Sequence, residues 1–358
     1  MRLLIAGGGT GGHLYPGIAV ARELLRRVPG AEVTFVGTAQ GIEARVIPRE
    51  GFALDVIRSA GLKGKSPASL ARGLALLPLS GLDAWRVVAR RRPSAVVGLG
   101  GYSSAPVVTL AALRGIPTMV LEQNAVPGFS NRRLASLVRA AAVTYDESVK
   151  FFGGKAFVSG NPVRSGFFEE AHEESISPPG AARVLVFGGS QGAHAINVAM
   201  VEAAPRLAAA ADRVAITHQT GERDLEMVRD GYGRAGLQAR VEPFLYDMDR
   251  EMRAADVVVS RAGATTLAEL AAAGRAAILV PLPTATDDHQ RRNAEAFVRR
   301  GAAVMVEQRE LTGDRLADEV LALAGDAKRR AGVARAARGL ARPDAARVIV
   351  DRLLALAG

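Results

Sequence analysis

The sequence predicts an α/β protein made of two Rossmann-like, doubly wound parallel-sheet domains that face a cleft. Three observations carry this. The chain has 358 residues, which at roughly 100 to 200 residues per domain leaves room for about two. Short apolar runs alternate with helix-compatible stretches, the pattern of strands covered by helices on both faces. The succession of strand, glycine loop and helix also occurs twice, once at the start and once midway.

The first half opens on an apolar run at 2–6 that enters Gly7-Gly8-Gly9-Thr10-Gly11-Gly12-His13 and continues into Ile18 to Leu25 at helical spacing. Further strands are expected at 32–36, 94–99, 118–121 and 141–144. Segment 169–180 is rich in Glu, Ser, Pro and Gly, lacks an apolar period and reads as a linker or surface loop. The pattern then restarts: a strand at 183–187, the loop Gly188-Gly189-Ser190-Gln191-Gly192-Ala193, a helix over 195–207, and strands at 214–218, 239–242, 257–260 and 277–281. Apolar residues at helical spacing in 344–356 predict a closing helix that docks back. The expected boundaries are 1–160, 161–343 and the terminal helix at 344–358.

Composition narrows the class. Hydrophobic residues make up 49% and charged residues 23% of the chain, which excludes a mostly disordered polymer. The absence of cysteine excludes a disulfide scaffold, a thiolate zinc site and a cysteine nucleophile. No apolar stretch approaches the roughly 20 residues that span a bilayer, so neither a transmembrane segment nor a signal peptide is expected. The net charge of +10 favours polyanions or phosphorylated ligands, although the dominance of Arg over Lys also fits a coding bias. Aromatics are only 5%, too few for the stacking surfaces of a single-strand binder, and nucleic acid is not an expected partner.

Both glycine loops stand between a strand and a helix, where main-chain N–H groups and the helix dipole suit an anion; the alternative is a pair of tight turns. Neither is followed by Gly-Lys-Ser/Thr, so an ATPase reading loses its lysine. A dinucleotide site wants an acid at the end of the second strand, and Val36 is followed instead by Gly37 and Thr38. His13, at the end of the first loop, is placed as a general base, or else it satisfies a helix end. The five histidines, His13, His172, His194, His218 and His289, show no metal-ligand spacing. Asp247-Met248-Asp249 has the form of a D-x-D metal motif, a form also common on surfaces. In Ser260-Arg261-Ala262-Gly263-Ala264-Thr265-Thr266-Leu267-Ala268-Glu269 a strand end leads through small residues into a helix carrying an acid one turn in. Glu269 either accepts the two hydroxyls of a ribose or lies on a solvated face.

The segments 7–21, 98–106, 121–128, 160–164, 187–193, 260–269 and 281–294 together resemble glycosyltransferase family 28, and they span nearly the whole chain in order. The resemblance implies the GT-B fold. It also implies inverting transfer of GlcNAc from UDP-GlcNAc to the 4-hydroxyl of MurNAc in undecaprenyl-pyrophosphoryl-MurNAc-pentapeptide, a step of cell-wall synthesis and so of cell shape and division. By the resemblance, the first half faces acceptor and membrane and the second holds the donor. Ser190 and its loop would bind diphosphate and Arg164 would help hold the nucleotide. Phe244 and the Leu245 main chain would flank uracil, Ala264 to Ala268 would line the helix entry, Glu269 would take the ribose, and Gln290 would select sugar hydroxyls. Thr10, Gly11, Gly12 and Asn124 would close on the donor. His13 is the expected base, with Glu122 and Tyr102 as alternatives.

Two departures stand out: Leu245-Tyr246 precedes Asp247-Met248, and His289 replaces a second Gln beside Gln290, which unsettles the sugar contact at 289. No metal is expected to be required, Mg²⁺ entering at most as a stimulant. The expected location is peripheral, at the cytoplasmic face of the bacterial membrane, with other wall-synthesis proteins as further partners. Leu62, Leu70, Leu74, Leu77, Leu82 and Trp85 with Lys63, Lys65, Arg72, Arg86 and Arg90 to Arg92 fit an interfacial patch on anionic lipid, or else a core-facing amphipathic helix. Pro78 argues against one continuous helix there. The competing readings are another GT-B enzyme, such as a glycolipid glycosyltransferase or a sugar-nucleotide epimerase, and a noncatalytic nucleotide-sugar binder.

Overall fold

The structure, a computed structural model, describes residues 1–59, 67–169, 180–189, 192–285 and 288–358, with backbone alone for 67–75. Two compact units are present: Met1–Arg164 with Arg342–Gly358, and Ser165–Ala341. The expected linker at 169–180 lies almost wholly outside the described residues, as do Leu62, Lys63, Lys65, His172, Ser190 and Gln191 and the side chains of Leu70, Arg72 and Leu74.

In the first unit the strands are β1 (Arg2–Gly7), β2 (Glu32–Gly37), β3 (Ala53–Val56), β4 (Ala95–Gly100), β5 (Thr118–Glu122), β6 (Ala140–Val143) and β7 (Ala156–Val158). They form one parallel sheet in the order β3-β2-β1-β4-β5-β6-β7. Its helices are α1 (Gly11–Arg27), α2 (Glu43–Arg49), α3 (Pro67–Arg91), α4 (Ser104–Leu113) and α5 (Phe129–Leu134). The period of two sorts the core into two layers. Leu3, Ile5, Val97 and Leu99 face α1, whereas Leu4, Ala6, Val96 and Val120 face α3 and α4. The chain's last helix, Ala345–Ala357, joins this unit: Ile349, Val350 and Leu353 pack into the α1 layer, and Arg27 pairs with Asp351 at 2.7 Å.

Pro78 does not break α3, which runs unbroken through it. Pro78 itself lies on the exposed side of the helix. The ion pairs of Arg91 with Asp55 (2.8 Å) and Arg58 with Asp83 (2.7 Å) fasten the helix to the sheet edge.

The second unit has β8 (Ala182–Phe187), β9 (Val214–Gln219), β10 (Ala239–Glu242), β11 (Val257–Ser260), β12 (Ala276–Leu279) and β13 (Val304–Met305), parallel in the order β10-β9-β8-β11-β12-β13. Its helices are α6 (His194–Ala208), α7 (Leu225–Ala235), α8 (Met248–Ala254), α9 (Ala264–Ala273), α10 (His289–Val298), α11 (Gly313–Gly325) and α12 (Ala327–Arg338), so Ala345–Ala357 is α13. Val184, Val186, Val257 and Val259 face α6, α7 and α11. On the other face α8, α9 and α12 lie against one another and the sheet.

One polar chain crosses this core. His218 is fully buried, accepts from the Tyr232 hydroxyl at Nδ1 (2.7 Å) and meets Asn197 Oδ1 through Nε2 (3.1 Å). Asn197 Nδ2 donates to the Thr220 carbonyl and to Asp224, so its Oδ1 is an acceptor and His218 carries its proton on Nε2. Burial pushes the His218 pKa down to about 3. The unfolded chain therefore takes up a proton first as pH falls, and the stability that His218 contributes is complete above its unfolded value and lost as pH falls from about 6.5 towards 3. Urea unfolding from pH 7.5 to 4.5 should show a steeper loss for the wild type than for His218→Gln. Equal slopes would remove His218 as the cause.

Candidate active site

Both sheets carry their polar, glycine-rich segments at the carboxyl ends of the strands, the edge at which open parallel sheets bind ligands. In the first unit the β1–α1 loop, the β4–α4 loop and the segment after β5 meet there. Thr10 occupies the N-cap of α1 in extended conformation, yet its hydroxyl caps no helix N–H. It lies 3.1 Å from His13 Nδ1. In the tautomer in which Nδ1–H donates to Thr10 Oγ1, Nε2 is the nitrogen that can take a proton. That edge of the ring lies against Gly100, where an added Cβ would stand 3.4 Å from Nε2 and where φ is +90°, so glycine both permits the turn and makes room for the imidazole. Gly11 and Gly12 form the first turn of α1, and Thr10 and Gly12 are exposed.

Glu122 is buried at the end of β5. Its carboxylate accepts the N–H groups of Asn124 (3.0 Å) and Gly128 (3.0 Å) and the side-chain amides of Asn124 (3.2 Å) and Asn131 (2.9 Å). Burial raises its pKa, and those four donors oppose the rise. A carboxylate so engaged holds segment 122–131 in shape and is poorly disposed to remove a substrate proton. Asn131 also donates to the Leu121 carbonyl, and the Asn124 carbonyl accepts the Ser148 hydroxyl. Tyr102 is half exposed. Arg164 belongs to the first unit, its guanidinium 4.6 Å over the Tyr15 ring. Glu43, which nothing in the sequence marks, accepts the Gly9 and Thr38 N–H groups at 2.8 Å each and braces the first glycine loop.

In the second unit the strand registers align Glu242, Gln219, Phe187, Ser260 and Leu279 in one row across β10, β9, β8, β11 and β12. The segments expected to bind the donor begin just past that row. Phe244 meets the exposed Tyr246 edge to face, ring centroids 4.9 Å apart. The Leu245 N–H is taken by Gln219 Oε1 at 2.9 Å, so a main-chain contact to uracil at Leu245 falls to the carbonyl. Helix α9 opens from Gly263 with no side-chain cap, and Thr265 and Glu269, four residues apart, share one buried face. Ala264 is buried and Thr266 and Ala268 are partly buried. Leu267 is a fully buried core side chain whose N–H bonds the Gly263 carbonyl, so it shapes the helix entry from behind.

The end of β12 and Pro281 are tied to this entry by Arg261, which donates to the Val280 and Pro281 carbonyls and to Gln308 Oε1; burial lowers its pKa to about 10. Gln290 Oε1 accepts the Leu282 N–H at 3.0 Å, so a hydrogen bond from this side chain to a ligand would come from its NH₂ as donor. Asp247 and Asp249 sit at the start of α8, Asp249 beside Arg253, and among the described residues no group of three His, Cys, Asp or Glu side chains gathers as metal ligands.

Among known proteins, the model of the glycosyltransferase family 28 N-terminal domain matches residues 3–143 and that of the family 28 C-terminal domain matches residues 183–349. The UDP-N-acetylglucosamine--N-acetylmuramyl-(pentapeptide) pyrophosphoryl-undecaprenol N-acetylglucosamine transferase of Anaeromyxobacter sp. (strain Fw109-5) is 49% identical over 98% of this chain and 92% of its own length. The protein of the same description from Pelobacter propionicus is 48% identical over 99% of both. The crystal structure of Acinetobacter baumannii MurG superposes with a TM-score of 0.76 at 31% identity, covering 99% of each chain. A UDP-GlcNAc 2-epimerase from Neisseria meningitidis, 13% identical with a TM-score of 0.68, shares the fold. With both domain models matched in order on two parallel-sheet units of the GT-B kind, the chain belongs to glycosyltransferase family 28.

Proposed function

We propose that this protein transfers GlcNAc from UDP-GlcNAc, with inversion, to the 4-hydroxyl of MurNAc in undecaprenyl-pyrophosphoryl-MurNAc-pentapeptide, converting lipid I to lipid II in peptidoglycan synthesis. The observation that carries the reading is identity of 48–49% with transferases of that description across 98–99% of the chain. The first unit supplies the base. His13 Nε2 takes the proton of the MurNAc hydroxyl as its oxygen forms the bond to the anomeric carbon and the bond from that carbon to UDP breaks. The Thr10 hydroxyl, 3.1 Å from Nδ1, orients the ring. The second unit holds the donor: the β8–α6 loop with Ser190 takes diphosphate, Phe244 and Leu245 take uracil, Glu269 takes the ribose and Gln290 takes the sugar. Loop N–H groups and helix dipoles stabilise the departing diphosphate, so the chemistry requires no metal.

The acceptor is lipid-linked, and α3 carries the feature suited to reaching it. Leu77, Leu79, Leu82 and Trp85 are exposed large apolar side chains, Trp85 at 48%, with Arg86 exposed beside them and the Arg114 guanidinium 5.9 Å over the Trp85 ring. No helix among the described residues is long and apolar enough to cross a membrane. This face seats the protein on the cytoplasmic leaflet. Leu82→Ser with Trp85→Ser should reduce sedimentation with vesicles containing anionic lipid by about tenfold and leave UDP-GlcNAc affinity unchanged. Undiminished sedimentation would place the membrane contact elsewhere.

A donor and acceptor panel tests the reaction itself. UDP-GlcNAc with a short-chain analogue of the lipid-linked muramyl acceptor should give the disaccharide product with EDTA present, whereas diacylglycerol should give none. Turnover of a glycolipid acceptor, or epimerisation of UDP-GlcNAc alone, would assign the chain to another activity of the same fold.

A further inference from the structure

Gln219 ends β9 with its side chain 1% exposed, a position at which a neutral amide requires partners. Both partners are main-chain groups of donor-binding segments. Nε2 donates to the Gly189 carbonyl at 2.9 Å, and Oε1 accepts the Leu245 N–H at 2.9 Å. A carbonyl only accepts and an N–H only donates, so the two partners fix the amide in one orientation. The turn that follows ties the same two segments again. The Thr220 and Gly221 N–H groups donate to the Glu242 and Pro243 carbonyls, just before Phe244. Gly192, with φ of +72°, lies so close to the Thr220 carbonyl that a Cβ there would collide with it. The end of β9 is thus the strut between the diphosphate loop and the uracil segment, and Gln219 bonds to both.

We propose that Gln219 is a positioning residue that fixes the distance between the uracil and diphosphate subsites, so that the two ends of UDP bind as one unit. The inference rests on the donor placement proposed above. In Gln219→Met both bonds are lost, and in Gln219→Asn the amide is one methylene too short to span both segments. Calorimetric titration should show UDP affinity at least about tenfold weaker in either variant, uridine affinity within about threefold of wild type, and kcat at saturating UDP-GlcNAc within about threefold. Hydrogen exchange on the wild type supplies a readout that needs no variant to fold: uridine alone, which reaches the uracil segment and Glu269 but lacks the diphosphate, should slow exchange in 188–192. A wild type that does not bind UDP would overturn the donor placement itself. A wild type that binds UDP, together with variants that bind it equally well, variants that lose uridine and UDP by the same factor, or uridine leaving 188–192 unprotected, would overturn the role of Gln219 and leave the donor placement standing.

Discussion

Replacing His13 by alanine should lower turnover by about 10²- to 10⁴-fold, the range of a lost general base, while UDP-GlcNAc affinity changes by less than about threefold. The ring is anchored at Nδ1 by a hydroxyl that caps nothing else, and it lies at the carboxyl end of β4 against a glycine that a larger residue could not replace without crowding it. Glu122 is the natural rival. Its carboxylate already accepts four hydrogen bonds from its own loop, so Glu122→Ala should chiefly unfold segment 122–131. The check is single-turnover kinetics beside donor titration for both variants. Equal losses of turnover and donor affinity in His13→Ala would remove it as the base, and a stably folded Glu122→Gln with turnover as low as His13→Ala would move the role to Glu122.

Glu269→Ala should act on the other term, weakening UDP-GlcNAc by about 10- to 100-fold, the effect of losing charge-assisted hydrogen bonds to a ribose, with kcat at saturation within about threefold. Glu269 shares the buried face of α9 with Thr265, one turn into a helix whose start carries no side-chain cap. A cycle makes the assignment specific: 2′-deoxy-UDP should bind the wild type more weakly than UDP does, and the difference should vanish in Glu269→Ala. A difference that survives the substitution would mean that Glu269 does not touch the ribose.

These expectations grew from parts of the molecule that are legible in sequence for a physical reason. The strands buried on both faces are mostly apolar runs, and β1, β2, β4, β5, β6, β8, β9, β11 and β12 lie where such runs predict them, as does the partly buried edge strand β10. The strands that sequence reading passes over are β3, β7 and β13, short and close to the sheet edges, with too few buried positions to show a period. Pro78 misleads because propensity describes an isolated helix, whereas α3 is fastened by Asp55 and Asp83 to the sheet edge.

The glycine loops, His13 and the α9 entry stand out because their chemistry needs particular residue types at particular strand ends. The residues that shape the site from behind do not. Glu43, Asn131, Arg261 and Gln219 bond to the main chain of Gly9, Leu121, Val280 and Gly189, between 10 and 34 residues away, and no local spacing encodes such a partner. Arg261 falls within the 260–269 segment without its bonds being readable there, and Gln219 leaves a trace as a polar residue ahead of Thr220-Gly221.

The central claim is that this chain moves GlcNAc from UDP to a lipid-linked muramyl acceptor by protein groups alone. It is tested most directly by following UDP release from UDP-GlcNAc, in metal-free buffer, with and without a short-chain analogue of undecaprenyl-pyrophosphoryl-MurNAc-pentapeptide. Acceptor-dependent release matched mole for mole by disaccharide lipid is the predicted result. A folded protein that binds UDP-GlcNAc and releases no UDP on adding the acceptor would contradict the account.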